Sequence, residues 1–223
     1  MTASIREKVA VSIAIQGIVA AVFLAIEASR GPHVVEVPKW IHTSIDDVIP
    51  FVPYSVWLYV SWYLTPVLLL CLSRQPFRLA SAAILASFLL CSLIYVMLPI
   101  EITRPRLDDV SLATSLLGVI YALDRPRNVF PSFHAAVCAV VLHVVPASGV
   151  MRVGLIAWML GICSACVLTK QHYVNDVLAG IVVGHFATGL VSRGGVVTWQ
   201  EERKIGQHSG GPRHIAEGGK TNE

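Results

Sequence analysis

The chain has 223 residues, of which 55% are hydrophobic and only 14% are charged. Soluble domains contain about 45–50% apolar and about 25% charged residues, so this composition excludes an ordinary soluble domain and indicates a membrane protein. The net charge of +3 is small, and no basic stripe with interleaved aromatic residues is present, so we expect no nucleic-acid partner. We predict one membrane domain, residues 1–192, and a polar, disordered cytoplasmic tail, residues 193–223.

A membrane-spanning helix needs about 20 mostly apolar residues. Six apolar segments reach or approach that length: about 9–28, 54–72, 79–100, 132–149, 153–169 and 175–192. They predict an all-α, polytopic membrane protein, a six-transmembrane-helix bundle with its polar site at one membrane face. The first apolar run is longer than the hydrophobic part of a signal peptide, so we expect an uncleaved helix. The apolar stretch 110–123 predicts a short interfacial helix.

Charge predicts the orientation of this bundle. Six crossings place both termini on one side of the membrane, together with ten of the 17 Lys and Arg residues. Positive residues favour the cytoplasmic side. We therefore expect an integral protein of the cell (inner) membrane, with its termini in the cytoplasm and the loops after the first, third and fifth segments on the non-cytoplasmic side. The five cysteines lie in apolar tracts, where cysteine packs as a small hydrophobe.

Three polar segments stand out against this apolar background. They are residues 99–106 (PIEITRPR), 128–134 (NVFPSFH) and 170–176 (KQHYVND). In a six-helix arrangement the first follows the third helix, the second opens the fourth and the third opens the sixth, so all three lie at the same membrane face. Polar residues at membrane depth are costly and usually functional.

These segments carry the groups that bind a phosphate. The arginine guanidinium matches phosphate oxygens with paired N–H groups, and lysine adds a point charge. Ser132 stands where a helix begins, and helix starts expose backbone N–H groups and a positive dipole end to an anion. The positively charged residues nearby are Arg104, Arg106, Arg125, Arg127 and Lys170.

Two histidines accompany this set. His172 has Asp176 four residues on, within reach on one helical face, and a carboxylate fixes the tautomer of an imidazole and strengthens its free nitrogen. His134 has no acid nearby and is a candidate proton donor. A zinc site of these three residues is an alternative, but a metal does not need five flanking cations, so we expect neither metal nor cofactor. Histidines elsewhere in the chain are expected to be interfacial.

In this order and spacing, the motifs resemble those of the type 2 phosphatidic acid phosphatase superfamily. Its members carry K-x6-R-P, then P-S-G-H, then S-R-x5-H-x3-D. Arg104-Pro105 matches the R-P, and residues 131–134 match P-S-G-H at three of four positions. The chain departs from the pattern at Met97, Phe133, Ala165 and Cys166. F-P-S-F-H over 130–134 and T-K-Q-H-Y-x-x-D-V-x-A-G over 169–180 are similar to the branch that includes inositol-phosphorylceramide synthase relatives, as is the I-P-F-V-P near residue 50.

The resemblance implies a role for each matching residue. His172 would be the nucleophile that forms a phosphohistidine, and Asp176 would orient it. His134 would protonate the leaving alkoxide and then help activate the incoming water or alcohol. The family needs no metal. The implied phosphate ligands are Arg104, Lys170 in place of the missing arginine, the N–H groups near Ser132, and Arg106 and Arg127 as auxiliaries.

We therefore expect a membrane lipid phosphatase that hydrolyses a lipid phosphate monoester or diphosphate. The alternative is a lipid phosphotransferase that moves a phospho-headgroup to an alcohol acceptor, since both reactions share the first step. A non-catalytic membrane protein on the same scaffold is a third hypothesis, disfavoured by the complete set of His172, Asp176 and His134. The expected partners are the lipid bilayer and a lipid phosphate substrate; the sequence leaves the lipid and a homo-oligomeric state open.

Overall fold

The computed structural model describes residues 4–29, 37–72 and 74–208. Within these ranges the chain forms helices and no β-strand, which confirms the predicted all-α class. The α-helices are α1 (Ile5–Ser29), α2 (Ser44–Val48), α3 (Val56–Val60), α4 (Thr65–Leu70), α5 (Arg74–Met97), α6 (Leu112–Leu123), α7 (Phe133–Val144), α8 (Gly149–Leu168) and α9 (Val174–His208). Two 3₁₀ helices, Pro53–Ser55 and Ser61–Leu64, flank α3.

Four helical stretches of the described chain are long and apolar enough to cross a membrane. They are Ile5–Ser29, Pro76–Met97, Gly149–Leu168 and Val174–Arg193. A helical membrane protein is therefore the class that the structure supports. The predicted spans 54–72 and 132–149 contain shorter helices instead. The α7 helix has 12 residues, which at 1.5 Å per residue is about 18 Å.

The stretch from Pro53 to Leu70 stays helical but alternates between α and 3₁₀ geometry. Proline supplies no N–H for helix hydrogen bonding, and Pro66 lies in the first turn of α4. Three hydroxyl groups also donate to the carbonyl three residues back, which competes with regular helix bonding. These bonds are Ser55 Oγ to Val52 O at 2.6 Å, Ser61 Oγ to Leu58 O at 2.6 Å and Thr65 Oγ1 to Trp62 O at 2.7 Å.

The α7 helix is the centre of the bundle. Its residues 135–141 are all buried, as expected for a helix that is apolar on every side. The α9 backbone approaches it very closely at two glycines. A Cβ on Gly180 would lie 2.1 Å from the Ser132 carbonyl oxygen, and one on Gly184 would lie 2.3 Å from that of Ala136. Only glycine permits this approach, which sets the start of α9 against the start of α7.

The chain divides into two compact units, Met1–Val191 and Ser192–Glu223. The first unit contains the three polar segments and both candidate histidines, His134 and His172. In the second unit the backbone is helical to His208, whereas we predict a disordered tail from residue 193. The remaining tail positions, 209–223, lie outside the described residues, so their predicted disorder stays a prediction.

Candidate active site

The three polar segments meet at one end of the helix bundle. The Ile102 N–H donates to the Pro126 carbonyl at 2.9 Å. Two residues further along the same segment, the Arg104 guanidinium donates to the side-chain oxygen of Gln171. The Ser132 N–H donates to the Asp176 carbonyl at 2.9 Å. Residues that are far apart in the sequence are therefore tied to each other by direct hydrogen bonds.

His172 lies in the turn between α8 and α9, with its side chain buried. The N–H groups of Gln171 and His172 both donate to the Cys166 carbonyl, at 3.0 and 3.1 Å, which closes α8 and fixes the turn. The imidazole Nδ1 lies 2.9 Å from the Val129 carbonyl oxygen. Because a carbonyl oxygen can only accept, Nδ1 must carry the proton. In the neutral ring, Nε2 then keeps its lone pair and is the nucleophilic nitrogen.

Asp176 lies in the first turn of α9 and is fully buried. Its Oδ2 is 3.6 Å from His172 Nδ1, longer than a normal hydrogen bond. The same oxygen accepts from the Tyr173 N–H at 2.7 Å. Among the described residues, Oδ1 has no hydrogen-bond partner. His172 and Asp176 are therefore adjacent, as predicted, but the Val129 carbonyl makes the shorter contact with the imidazole.

His134 lies in the first turn of α7 and faces His172. The two ring centroids are 5.7 Å apart in a T-shaped arrangement. On its other sides His134 contacts the rings of Tyr59 and Trp62, each with a centroid distance of 4.8 Å. One imidazole with a free nitrogen and a second imidazole on an aromatic wall therefore share one site, which is the arrangement that a nucleophile and a proton donor require.

Ser132 is the N-cap of α7, as predicted from its position before the helix. Its buried side chain accepts from the Ala135 N–H at 3.4 Å. Its own N–H is occupied by the Asp176 carbonyl, so Ser132 connects the starts of α7 and α9. The positive end of the α7 dipole points into the region of the two histidines, where it favours an anion.

Arg104 is tied by its guanidinium to Gln171, the residue before His172. Its Nη1 donates to the carbonyls of Tyr121 and Asp124, at 3.2 and 2.5 Å, and its guanidinium lies 4.5 Å from the Tyr121 ring centroid. Burial lowers the pKa of Arg104 from its ordinary value, although the charge of Asp124 opposes this. A guanidinium stays charged in proteins, so these contacts hold a fixed positive charge at the site.

The other predicted cations make different contacts. The Lys170 ammonium donates to the carbonyls of Asp46 and Ile49, at 3.2 and 2.7 Å. The Arg127 guanidinium pairs with Glu101 at 3.3 Å, and Arg106 is exposed. Among the described residues, no hydrogen bond or ion pair joins Lys170 or Arg106 to either histidine.

Two openings adjoin the site. A polar cleft is lined by residues of both signs, including Arg104, Lys170, Asp47 and Glu101. A separate apolar cavity lies between α1, α4, α5 and α7, and Trp62 and Phe133 form part of its wall. Trp62 also contacts His134, so the Trp62 ring lies between this cavity and the imidazole.

Sequence reasoning missed two groups at this site. The Val129 carbonyl is a backbone atom, and nothing in the identity of a residue reveals its orientation. Asp124 ends α6 beside Arg104, and the available signal was an acid placed between an apolar stretch and a basic cluster.

The described part of the chain contains no group of three or more His, Cys, Asp or Glu side chains arranged to hold a metal ion. No protein-family model, no curated protein and no solved structure matches the chain.

Proposed function

We propose that this protein is an integral membrane lipid phosphatase of the type 2 phosphatidic acid phosphatase kind. In the first step, Nε2 of His172 attacks the phosphorus, a P–N bond forms and the bond to the lipid oxygen breaks. The leaving alkoxide takes a proton from His134. In the second step, water attacks the phosphohistidine, His134 accepts the water proton, and phosphate leaves His172.

The observation that carries this proposal is the tautomer of His172. The Val129 carbonyl holds the proton on Nδ1 at 2.9 Å, which makes Nε2 available before any substrate arrives. A second imidazole lies 5.7 Å away between ring centroids, and the Arg104 guanidinium supplies a fixed charge. Preorganised charge of this kind stabilises the transition state of phosphoryl transfer, which depends mostly on positioning and electrostatics.

The apolar cavity supports a lipid as the substrate. Its wall includes Val19, Leu69 and Ile84 from three different helices. Trp62, which forms part of the wall, also contacts His134, the group that would protonate the departing alkoxide. A hydrocarbon chain attached to that oxygen would enter an apolar space and gain about 0.8 kcal/mol per buried CH₂ group.

Contacts at both ends of the bundle support six membrane crossings. The Lys8 ammonium, near the start of α1, donates to the Leu70 carbonyl at 3.1 Å. At the site end, the Val52 N–H donates to the Leu168 carbonyl at 2.9 Å. The mixed helical segment between Val52 and Leu70 thus runs from the site end to the opposite end. Similarly, α7 leaves the site end and α8 returns to it, so we infer that both shorter segments complete crossings.

The polar cleft favours one second candidate, a lipid phosphotransferase. Carboxylates and cations together, here Asp47, Glu101 and Lys170, suit the hydroxyl groups of a polyol acceptor. Product analysis separates the two activities: a phosphatase releases inorganic phosphate from a radiolabelled lipid with or without polyols, whereas a phosphotransferase transfers the label to the polyol.

The proposed function is tested by ³²P labelling of purified variants. His172→Ala removes the nucleophile, so no acid-labile, base-stable phosphoenzyme should form from any substrate, and turnover should fall about 10³-fold or more. His134→Ala removes the proton donor, which matters only for a poor leaving group. This variant should label well from p-nitrophenyl phosphate and poorly from a lipid phosphate.

Two other histidines provide matched controls on the same helices. His143 on α7 and His185 on α9 face each other at 6.1 Å between ring centroids, and within the described chain no ring contact, hydrogen bond or ion pair joins either of them to the site. Their alanine variants should label like the wild type. Labelling of His172→Ala together with no labelling of His134→Ala would reverse the two roles, and unchanged activity of His172→Ala would disprove the proposed function.

A further inference from the structure

Residues 128–132 form the short irregular stretch that leads into α7, and Val129, whose carbonyl contacts His172, lies within it. Three other parts of the chain hold the stretch after Val129. The contacts are the edge-to-face packing of Phe130 on Trp40 at 5.1 Å between centroids, the bond from the Tyr95 hydroxyl to the Pro131 carbonyl at 2.8 Å, and the bond from the Ser132 N–H to the Asp176 carbonyl at 2.9 Å.

The stretch is also held before Val129, by a residue of the first helix. Oε1 of Glu27, in the last turn of α1, accepts from Asn128 Nδ2 at 2.9 Å across 101 positions of sequence. Asn128 is buried, with 8% of its surface exposed. A hydrogen bond to a carboxylate is stronger than one between two neutral groups. The Val129 carbonyl therefore follows directly after an anchor that α1 provides.

This end of α1 is where the helix enters the bundle. Within α1, Ile26 is the buried residue, and the segment between Lys8 and Glu27 contains no charged side chain. An ionisable side chain on an apolar membrane helix turns towards the interior of the bundle or a polar cavity. The carboxylate of Glu27 does so at the level of the candidate site, where it bonds to the stretch before α7.

The position of the Val129 carbonyl decides which imidazole nitrogen of His172 is nucleophilic. A neutral imidazole carries its proton on either nitrogen, and the partner of one nitrogen selects the tautomer. With the carbonyl 2.9 Å from Nδ1, the proton stays on Nδ1 and Nε2 is free. If the carbonyl withdrew, part of the molecules would carry the proton on Nε2, which then has no lone pair to attack phosphorus.

The geometry points to Glu27 as a positioning residue for the nucleophile, which acts through Asn128 and the Val129 carbonyl on the His172 imidazole. The inference rests on the proposed function. It adds to the site a helix, α1, that contains none of the residues predicted from the sequence. Glu27 is assigned no bond to the substrate, and its effect passes through the backbone of residues 128 and 129.

The first test measures how fast the phosphoenzyme forms. Glu27→Ala removes the acceptor for Asn128, whereas Glu27→Gln keeps it as an amide oxygen. The rate of ³²P-phosphoenzyme formation should fall about tenfold in Glu27→Ala, because a small displacement of a reacting group is costly, and should stay near the wild-type rate in Glu27→Gln. The fall should be equal for a lipid phosphate and p-nitrophenyl phosphate, since both need the nucleophile.

The second test reads the tautomer of His172 without any substrate. In ¹⁵N NMR spectra of histidine-labelled protein in detergent, the signals of His172 are those missing from His172→Ala. At mildly alkaline pH, where a free imidazole is neutral, the wild type and Glu27→Gln should show a proton on Nδ1 and none on Nε2. Glu27→Ala should show a mixture of both tautomers. A purely structural tether would lower the unfolding temperature and leave the tautomer of the folded molecules unchanged.

Glu7→Ala is the matched control, because it makes the same change at an exposed acid at the other end of α1. Its rate and tautomer should be those of the wild type. Asn128→Ala breaks the same bond from the other side, and it decides the question if Glu27→Ala does not fold. The double variant should lose no more than either single variant, since both changes remove one interaction.

A folded Glu27→Ala or Asn128→Ala protein with the wild-type rate overturns the inference. So does a slower rate with an unchanged tautomer, or additive losses in the double variant. Failure of the proposed function is a different result, namely a phosphoenzyme that persists in His172→Ala. The tautomer spectra do not depend on activity, so they test the role of Glu27 in either case.

Discussion

His172 is held on its Nδ1 side by a backbone carbonyl, with an acidic side chain only slightly farther away. The Val129 carbonyl is 2.9 Å from Nδ1 and the Asp176 carboxylate is 3.6 Å from it. The two groups act differently. The carbonyl fixes the tautomer, and in the proposed mechanism the carboxylate would stabilise the positive charge that the ring acquires when it forms a bond to phosphorus.

This division predicts the effect of Asp176→Asn. The variant loses the negative charge but keeps the Val129 contact, and an asparagine oxygen can still accept from the Tyr173 N–H. We expect turnover of a lipid phosphate to fall on the order of 10- to 100-fold, less than for loss of the nucleophile. Steady-state kinetics of Asp176→Asn and His172→Ala, measured in parallel with a lipid phosphate, compares the two losses of turnover. Equal losses in the two variants would show that the carboxylate, and not the carbonyl, controls the tautomer.

Lys170 shows a second feature at the scale of one residue. Its φ is +53°, in the left-handed region that costs a residue with a Cβ about 1–2 kcal/mol. Its ammonium is bound by two carbonyls of the segment before α3. Lys170→Ala removes the ammonium but keeps the backbone strain of the left-handed φ. Lys170→Gly removes both the ammonium and this strain.

We therefore expect Lys170→Gly to be more stable than Lys170→Ala by about 1 kcal/mol, after allowing for the greater freedom of glycine in the unfolded chain. Thermal unfolding in detergent measures the difference. A lower unfolding temperature for the glycine variant would contradict the left-handed backbone. Activity per folded molecule of Lys170→Gly then tests the amine as a phosphate ligand, and we expect a clear loss.

At the scale of elements, long apolar runs without proline in their interiors were predictable. The first, third, fifth and sixth predicted segments correspond to α1, α5, α8 and α9, and residues 110–123 contain α6. Hydropathy did not reveal that the segment 54–72 alternates between α and 3₁₀ helix. The alternation arises because the hydroxyls of Ser61 and Thr65 bond to backbone carbonyls inside an apolar run, and hydropathy does not record such bonds. The grouping of Arg104, Ser132 and His172 was predictable from topology, whereas the Val129 contact depends on the path of the backbone.

The α7–α9 contact gives a prediction for a whole element. In Gly180→Ala the new Cβ meets the Ser132 carbonyl oxygen at 2.1 Å, and in Gly184→Ala it meets the Ala136 carbonyl oxygen at 2.3 Å. Backbone atoms cannot give way as side chains do, so α9 must move outward. The Ser132–Asp176 bond and the distance between the two imidazoles should then change, with a loss of activity on the order of tenfold or more.

Gly189→Ala is the matched control on the same helix, since its Cβ would meet no atom within 4 Å. This variant should keep its activity, and it should gain slightly in stability because alanine favours a helix by about 1 kcal/mol over glycine. The three variants are compared at equal amounts of folded protein in detergent. Full activity of Gly180→Ala would mean that the two helices need not touch for catalysis.

At the scale of the whole molecule, the proposed six crossings place the site outside the cytoplasm. Single cysteines at Asp108 and Gly210, in a chain without its five native cysteines, test this orientation in intact cells. An impermeant thiol reagent should label position 108 and spare position 210, which lies in the predicted cytoplasmic tail. Both positions should react after the membrane is permeabilised, and labelling of 210 alone in intact cells would invert the orientation.

Asp46 connects the first part of the chain to the last helix. One carboxylate oxygen accepts from the N–H of Thr43, the N-cap of α2, and the other accepts from the Val174 N–H at 2.8 Å, across 128 positions of sequence. During synthesis, Asp46 leaves the ribosome long before α9 does. The acceptor for the first turn of α9 is therefore already present when His172 and Asp176 emerge. Under the proposed function, a nascent chain has no complete phosphate-cleaving centre until α9 has inserted, so incomplete products would not attack the lipids that surround them.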